Sequence, residues 1–179
     1  MSLLVANLLV GIIVFATGAH FFFGNEKTQE QTKAFPRNPL AAKILLGAAT
    51  LWFIYNLSQL GVADFGNHKT KLMILFGVGA VLSFTFVPDF LAVRGLAGLI
   101  LLFGAQILNT AYMQWEHPQR LFMVSVTYIG IAGAVYLGAC PYKMRDWLDW
   151  IYRKGSRAKA LGGLGLGVGV ALMVTAFTY

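Results

Sequence analysis

Apolar residues gather along the chain into six long stretches, approximately 3–23, 40–61, 71–87, 91–112, 121–140 and 158–178, with polar or proline-bearing segments between them. A hydrocarbon core of about 30 Å takes roughly 20 residues of helix, and each stretch meets or approaches that length. Gly163 to Gly169 alternates glycine with Leu or Val, but a lone strand would leave its backbone groups unpaired in lipid, so this run is also read as helix. The pattern predicts an all-α polytopic membrane protein with six transmembrane helices. The 71–87 stretch is the shortest and ends at Pro88, which cannot continue the hydrogen-bond ladder. Only Asp89 and Phe90 then precede the next run, so the third and fourth spans are expected to form a tight hairpin.

Three stretches open on one pattern: a small or apolar residue, a base, any residue, Leu, any residue, Gly. It is met at Ala42–Gly47, Val93–Gly98 and Ala158–Gly163. A second pattern, His, two residues, a base and Leu, recurs at His68–Leu72 and His117–Leu121, 49 positions apart. Lys43 and Arg94 are 51 apart and Lys159 lies 65 further on, which places an insertion of about 14 residues in the last repeat. The expected organisation is one membrane domain, 1–179, of three repeated helical hairpins, approximately 1–62, 71–113 and 120–179. Parallel repeats of this kind suggest a pseudo-threefold arrangement about an axis near the membrane normal.

The insertion predicts one interfacial amphipathic helix over 141–155. Met144, Trp147, Leu148 and Ile151 fall at i, i+3, i+4 and i+7, one helical face suited to anchoring in the headgroup layer. Charged residues fill the remainder, with Arg145–Asp149 and Asp149–Arg153 as i,i+4 pairs and Gly155 as the stop. The segment from Gly24 to Pro39 mixes both charges with Gln, Thr and Pro and is expected to be a solvated linker.

Composition agrees with the membrane reading: of 179 residues 58% are hydrophobic, too many for an ordinary soluble domain. The net charge of +7 does not point to nucleic acid, because the bases lie between the apolar runs. Taking Lys43 and Lys159 with their adjoining loops, eleven of the fourteen Lys/Arg fall in the first, third and fifth connections. By the positive-inside rule those connections are cytoplasmic and both termini face outward, as in a bacterial-type inner membrane. No base precedes Leu3, so the first run is expected to be a retained span rather than a cleaved signal. The single cysteine, Cys140, excludes an internal disulfide or a Cys-based metal cluster within one chain.

Candidate chemistry is sparse. Asn56 and Gln59 sit three apart on the second span, and Gln106 and Asn109 do the same on the fourth. Such amides join helices by hydrogen bonds, or line a polar cavity between those spans. Lys43, Arg94 and Lys159 would converge about a threefold axis and contact an anionic lipid or a phosphate, or simply snorkel to the interface. Asp89 is expected to pair with Arg94 or to cap the fourth span. His20, His68 and His117 match no metal-ligand spacing, and no metal, cofactor or catalytic residue is assigned. Gly130, Ala134 and Gly138 form a small-residue stripe, as do Gly163 with Gly167 and Gly165 with Gly169.

The sequence therefore leads to a non-catalytic integral membrane protein, an accessory subunit or lipid-interacting scaffold. A small-solute carrier or channel and a membrane-embedded enzyme are the alternatives. Expected partners are the lipid bilayer, with anionic lipids, and a membrane protein or a second copy of the chain.

Overall fold

The computed structural model describes residues 1–61 and 64–179, so the boundary near 62 expected for the first repeat lies outside the described residues. The chain is all-α, with eight helices and no strand among the described residues. They are α1 (Leu3–Phe23), α2 (Glu26–Ala34), α3 (Pro39–Ser58), α4 (Lys69–Phe86), α5 (Leu91–Ala111), α6 (Arg120–Ala139), α7 (Tyr142–Tyr152) and α8 (Gly155–Ala176). Six of them, α1, α3, α4, α5, α6 and α8, are long and apolar enough to cross a membrane, the build of a multi-pass membrane protein.

Three expectations change. A 3-10 turn at Gly66–His68 leads into α4, so this span covers 21 residues and is not short; Lys69 and Lys71 at its start do not interrupt helical backbone. The segment after Gly24 is not a linker throughout: α2 forms there, and the Asn25 carboxamide oxygen accepts from the Thr28 amide at 2.9 Å and hydroxyl at 2.8 Å. That cap satisfies one of the amide donors every helix start leaves open. Gly155 is not the stop of α7 but the first residue of α8. Lys154, extended at φ −130° and ψ 118°, is what separates the two helices.

The chain packs as two compact units. One comprises residues 1–33, 103–133 and 145–179, the other 34–102 and 134–144.

In the first unit α1 and α8 run antiparallel in close contact. Ala158, Gly162, Gly169, Leu172 and Ala176 are buried along α8, a seam of fours and threes that a helix presents to one neighbour. The approach is backbone to backbone. A β-carbon at Gly18 would lie 2.5 Å from the Leu166 nitrogen, one at Gly162 2.5 Å from the Phe22 nitrogen, and one at Gly169 2.6 Å from the Phe15 nitrogen. The packing stripe of α8 therefore contains the expected pair Gly165/Gly169, extended by Gly162, but not the pair Gly163/Gly167. Gly167 has nothing within 4 Å of its would-be β-carbon, because it lies on the opposite face. Leu3, Ala6, Val10, Ile107, Ala111, Met123 and Leu172 form the core of this unit.

In the second unit α3 and α5 run parallel. A β-carbon at Gly95 would meet the Leu46 nitrogen at 2.5 Å, and one at Gly98 would meet Ala49 Cβ at 3.4 Å. Both pairs are offset by 49 positions, two fewer than the 51 that separate Lys43 from Arg94, so equivalent positions of the shared opening pattern are staggered by two residues rather than directly opposed. Helix α4 folds back along α3, with Phe53 and Phe76 edge to face at 4.9 Å between ring centres. No residue of α4 is buried. Ala42, Leu91 and Ala92 form this unit's core.

Candidate functional site

The second unit carries a groove of about 620 Å³ whose walls come from α3, α4 and α5, among them Leu46, Thr50, Phe53, Phe76, Gly98 and Leu102. Almost all of its surface is apolar. Ser83, one of its few polar side chains, spends its hydroxyl on the Gly79 carbonyl at 2.8 Å. Two basic residues stand at one end. Lys43 precedes Leu46, Thr50 and Phe53 by three, seven and ten positions, the spacing of a single helical stripe. Arg94 stands four and eight positions before Gly98 and Leu102 on the same terms. Because α3 and α5 are in parallel register, both bases lie within about a turn of the groove's end. Lys43 is exposed and Arg94 half-buried, and among the described residues neither has an ion-pair partner. Lys159 is exposed and belongs to the other unit.

Asp89 makes no ion pair with Arg94 among the described residues, contrary to one of the two roles expected of it. Phe90 stands between Asp89 and α5 in the left-handed region at φ 57°, and its carbonyl accepts from Val93 at 3.0 Å and Arg94 at 3.3 Å. The Arg37 guanidinium lies 5.1 Å from the centre of the Phe90 ring.

The four amides divide between the units: Asn56 and Gln59 in the second, Gln106 and Asn109 in the first. Asn56 is half-buried; Gln59 is exposed and donates to the Ser58 hydroxyl at 3.3 Å. Gln106 and Asn109 are both exposed. Asn109 lines a smaller pocket of about 290 Å³ at the turn from α5 to α6, together with Tyr112, Trp115, Arg120 and Tyr128.

Two polar residues that sequence reasoning passed over are among the most buried. Asn7, inside the first apolar run, is 0% exposed. Its Nδ2 donates to Thr175 Oγ1 at 3.1 Å and to the Tyr179 hydroxyl at 3.0 Å, while its Oδ1 is buried without a partner. A lone amide in an apolar span was the available signal, since such a group needs a partner helix. Arg120, the first residue of α6, is 9% exposed, and its guanidinium carbon lies 4.8 Å from the centre of the Trp115 ring. In the sequence Arg120 is the base of the His117–Leu121 pattern, and nothing in that repeat marks its side chain as buried.

At the end where α1 meets α2 and α7, His20 Nε2 lies 2.7 Å from Thr32 Oγ1. That hydroxyl donates to the Thr28 carbonyl at 2.7 Å, so the imidazole N–H is the donor. The i,i+4 pairs expected along α7 do not form. Asp149 instead meets Lys33 of α2 at 3.5 Å, and Arg145 pairs with its neighbour Asp146 at 2.9 Å. A long-range cation is within reach of Asp149, which the linear spacing could not register. Within the predicted anchoring face Leu148 is buried, Met144 and Ile151 are half-buried, and Trp147 is 46% exposed. His117 packs edge to face on Tyr179 at 5.5 Å, Cys140 is a free thiol, and no group of three or more His, Cys, Asp or Glu comes together among the described residues. No family model matches the chain, and no curated protein or solved structure matches it significantly.

Proposed function

We propose that the chain is a non-catalytic, lipid-interacting membrane scaffold built of three helical hairpins, with the first, third and fifth connections cytoplasmic and both termini outward. Its groove in the second unit holds an acyl chain of an anionic phospholipid, and Lys43 and Arg94 hold the phosphate. The observation that carries this reading is the alignment of two unpartnered bases with one end of an apolar groove. An acyl chain suits apolar walls, and a lipid phosphate suits bases at headgroup depth. Helix α7 lies in the cytoplasmic headgroup layer, with Trp147 and the half-buried Met144 and Ile151 toward lipid and Leu148 packed into the protein.

The test is native mass spectrometry of the protein released from nanodiscs of phosphatidylcholine containing phosphatidylglycerol. The scaffold should retain phosphatidylglycerol selectively, and the double variant Lys43→Gln, Arg94→Gln should hold it at least tenfold more weakly. Thr50→Trp, which fills the groove without touching the bases, should have a similar effect. Equal retention of phosphatidylcholine, or undiminished retention by the folded double variant, overturns the reading.

A second reading, a small-solute carrier or channel, has one observation in its favour: Asn109 forms part of a pocket wall beside a buried base.

A further inference from the structure

We infer that the pocket at the α5–α6 turn is a binding site for a carboxylate or phosphate group carried on a small apolar body, with Arg120 as its anchor. The inference is independent of the lipid groove, which lies in the other unit.

An arginine side chain keeps its charge in proteins, and taking that charge out of water costs several kcal/mol unless it is paired. Arg120 is 9% exposed, yet among the described residues its guanidinium makes no hydrogen bond and no ion pair. Nη1 in particular is buried without a partner. The one group on it is the Trp115 ring, 4.8 Å from the guanidinium carbon, which covers a face and leaves the edge donors unused. Glu116, four positions earlier, does not reach it. The helix adds to the same sign: Arg120 is the first residue of the 20-residue α6, and although the amides of Arg120, Leu121 and Phe122 already donate to the carbonyls of His117, Pro118 and Gln119, the helix dipole at that end favours negative charge.

The pocket in front of it has the composition of a ligand site. Its volume of about 290 Å³ is at the small end of the range for small-molecule sites. Tyr112, Trp115 and Tyr128 supply aromatic walls, and Asn109 supplies an amide whose side chain has no hydrogen bond within the protein among the described residues. These aromatic residues are 72%, 73% and 56% exposed, so the walls are open to an incoming molecule. A carboxylate or a phosphate can set two of its oxygens against the fork of an arginine in a way that a halide cannot. The apolar walls then favour an anion attached to an apolar body. Such a group comes either from a free solute or from a lipid headgroup.

Thermal melting in detergent with benzoate, and separately with inorganic phosphate, tests the free solute. Melting in nanodiscs of phosphatidylcholine, with and without phosphatidylglycerol, tests the headgroup. Each arm compares the native chain with Arg120→Met, which keeps the volume and removes the charge. Stabilisation by benzoate or phosphate, at least tenfold weaker in half-saturating concentration for the variant, assigns a free solute. A gain that only phosphatidylglycerol gives, and that Arg120→Met loses, assigns a headgroup. No response from the native chain in any arm, or an equal response from the variant, overturns the site. Should Arg120→Met not fold, Arg120→Lys replaces it: that variant keeps the charge but not the fork, and an unchanged response then overturns the proposal.

Discussion

Asn7 and Tyr179, 172 positions apart, are joined by a hydrogen bond of 3.0 Å from the asparagine amide nitrogen to the tyrosine hydroxyl. With the companion bond to Thr175 at 3.1 Å, it ties the start of α1 to the end of α8 and the residues just beyond it. Hydrogen bonds of this kind in a membrane are worth about 1 kcal/mol. Tyr179→Phe and Thr175→Val should each lower stability by roughly that amount, read by equilibrium unfolding in mixed micelles. Loss below about 0.2 kcal/mol from both would mean that the amide finds other partners.

The same tyrosine gives a pH dependence. Burial pushes the Tyr179 phenol up from the ordinary 10.0, so the fold holds its neutral form. A raised folded value means that the contribution is fully present below the unfolded value and is lost as pH rises through the folded one. Tyr179 should therefore be among the last tyrosines to ionise in an ultraviolet titration of the folded protein. Tyr179→Phe should remove that late step and flatten the alkaline loss of stability.

The α1–α8 contact separates glycines that look alike in sequence. Gly18→Val, Gly162→Val and Gly169→Val each force a side chain onto backbone, and should cost about 3 kcal/mol or more, or abolish folding. Gly167→Ala, with open space around it, should be neutral or mildly stabilising. Melting temperatures in detergent decide this. Equal sensitivity at Gly167 and Gly169 would contradict the packing face described above.

Met113 follows the end of α5 in the left-handed region at φ 58° and is 64% exposed. A non-glycine residue there is strained by about 1 kcal/mol, and glycine removes the clash. Met113→Gly should stabilise the protein by several tenths of a kcal/mol after its larger unfolded-state entropy is counted. A destabilisation would show that the methionine side chain contributes packing that outweighs the strain.

The Lys33–Asp149 pair links two exposed side chains, 43% and 53% accessible. A double-mutant cycle on the two should give a coupling of about 0.5 kcal/mol or less, shrinking as salt is raised. A coupling well above 1 kcal/mol, insensitive to salt, would mean that the pair is shielded from solvent in the membrane-bound protein.

The sequence by itself determined that the chain is helical, with six helices long and apolar enough to cross a membrane, because length and hydropathy are local properties and an open strand would leave backbone groups unpaired in lipid. It also located most span limits to within a few residues. What it could not determine is which face of each span meets which neighbour. Lipid is as apolar as leucine, so a span that is apolar all round carries little record of its packing face. Gly162 and Gly163 differ only in that one lies against the Phe22 backbone and the other does not, and distant chain decides that. The same holds for Asn7, whose partners lie at the far end of the sequence, and for Asp149, drawn to Lys33 rather than along its own helix. Arg120 reads in the sequence as one of several loop bases. Only folding, which buries its guanidinium without a partner and opens an aromatic pocket before it, makes it distinct from them.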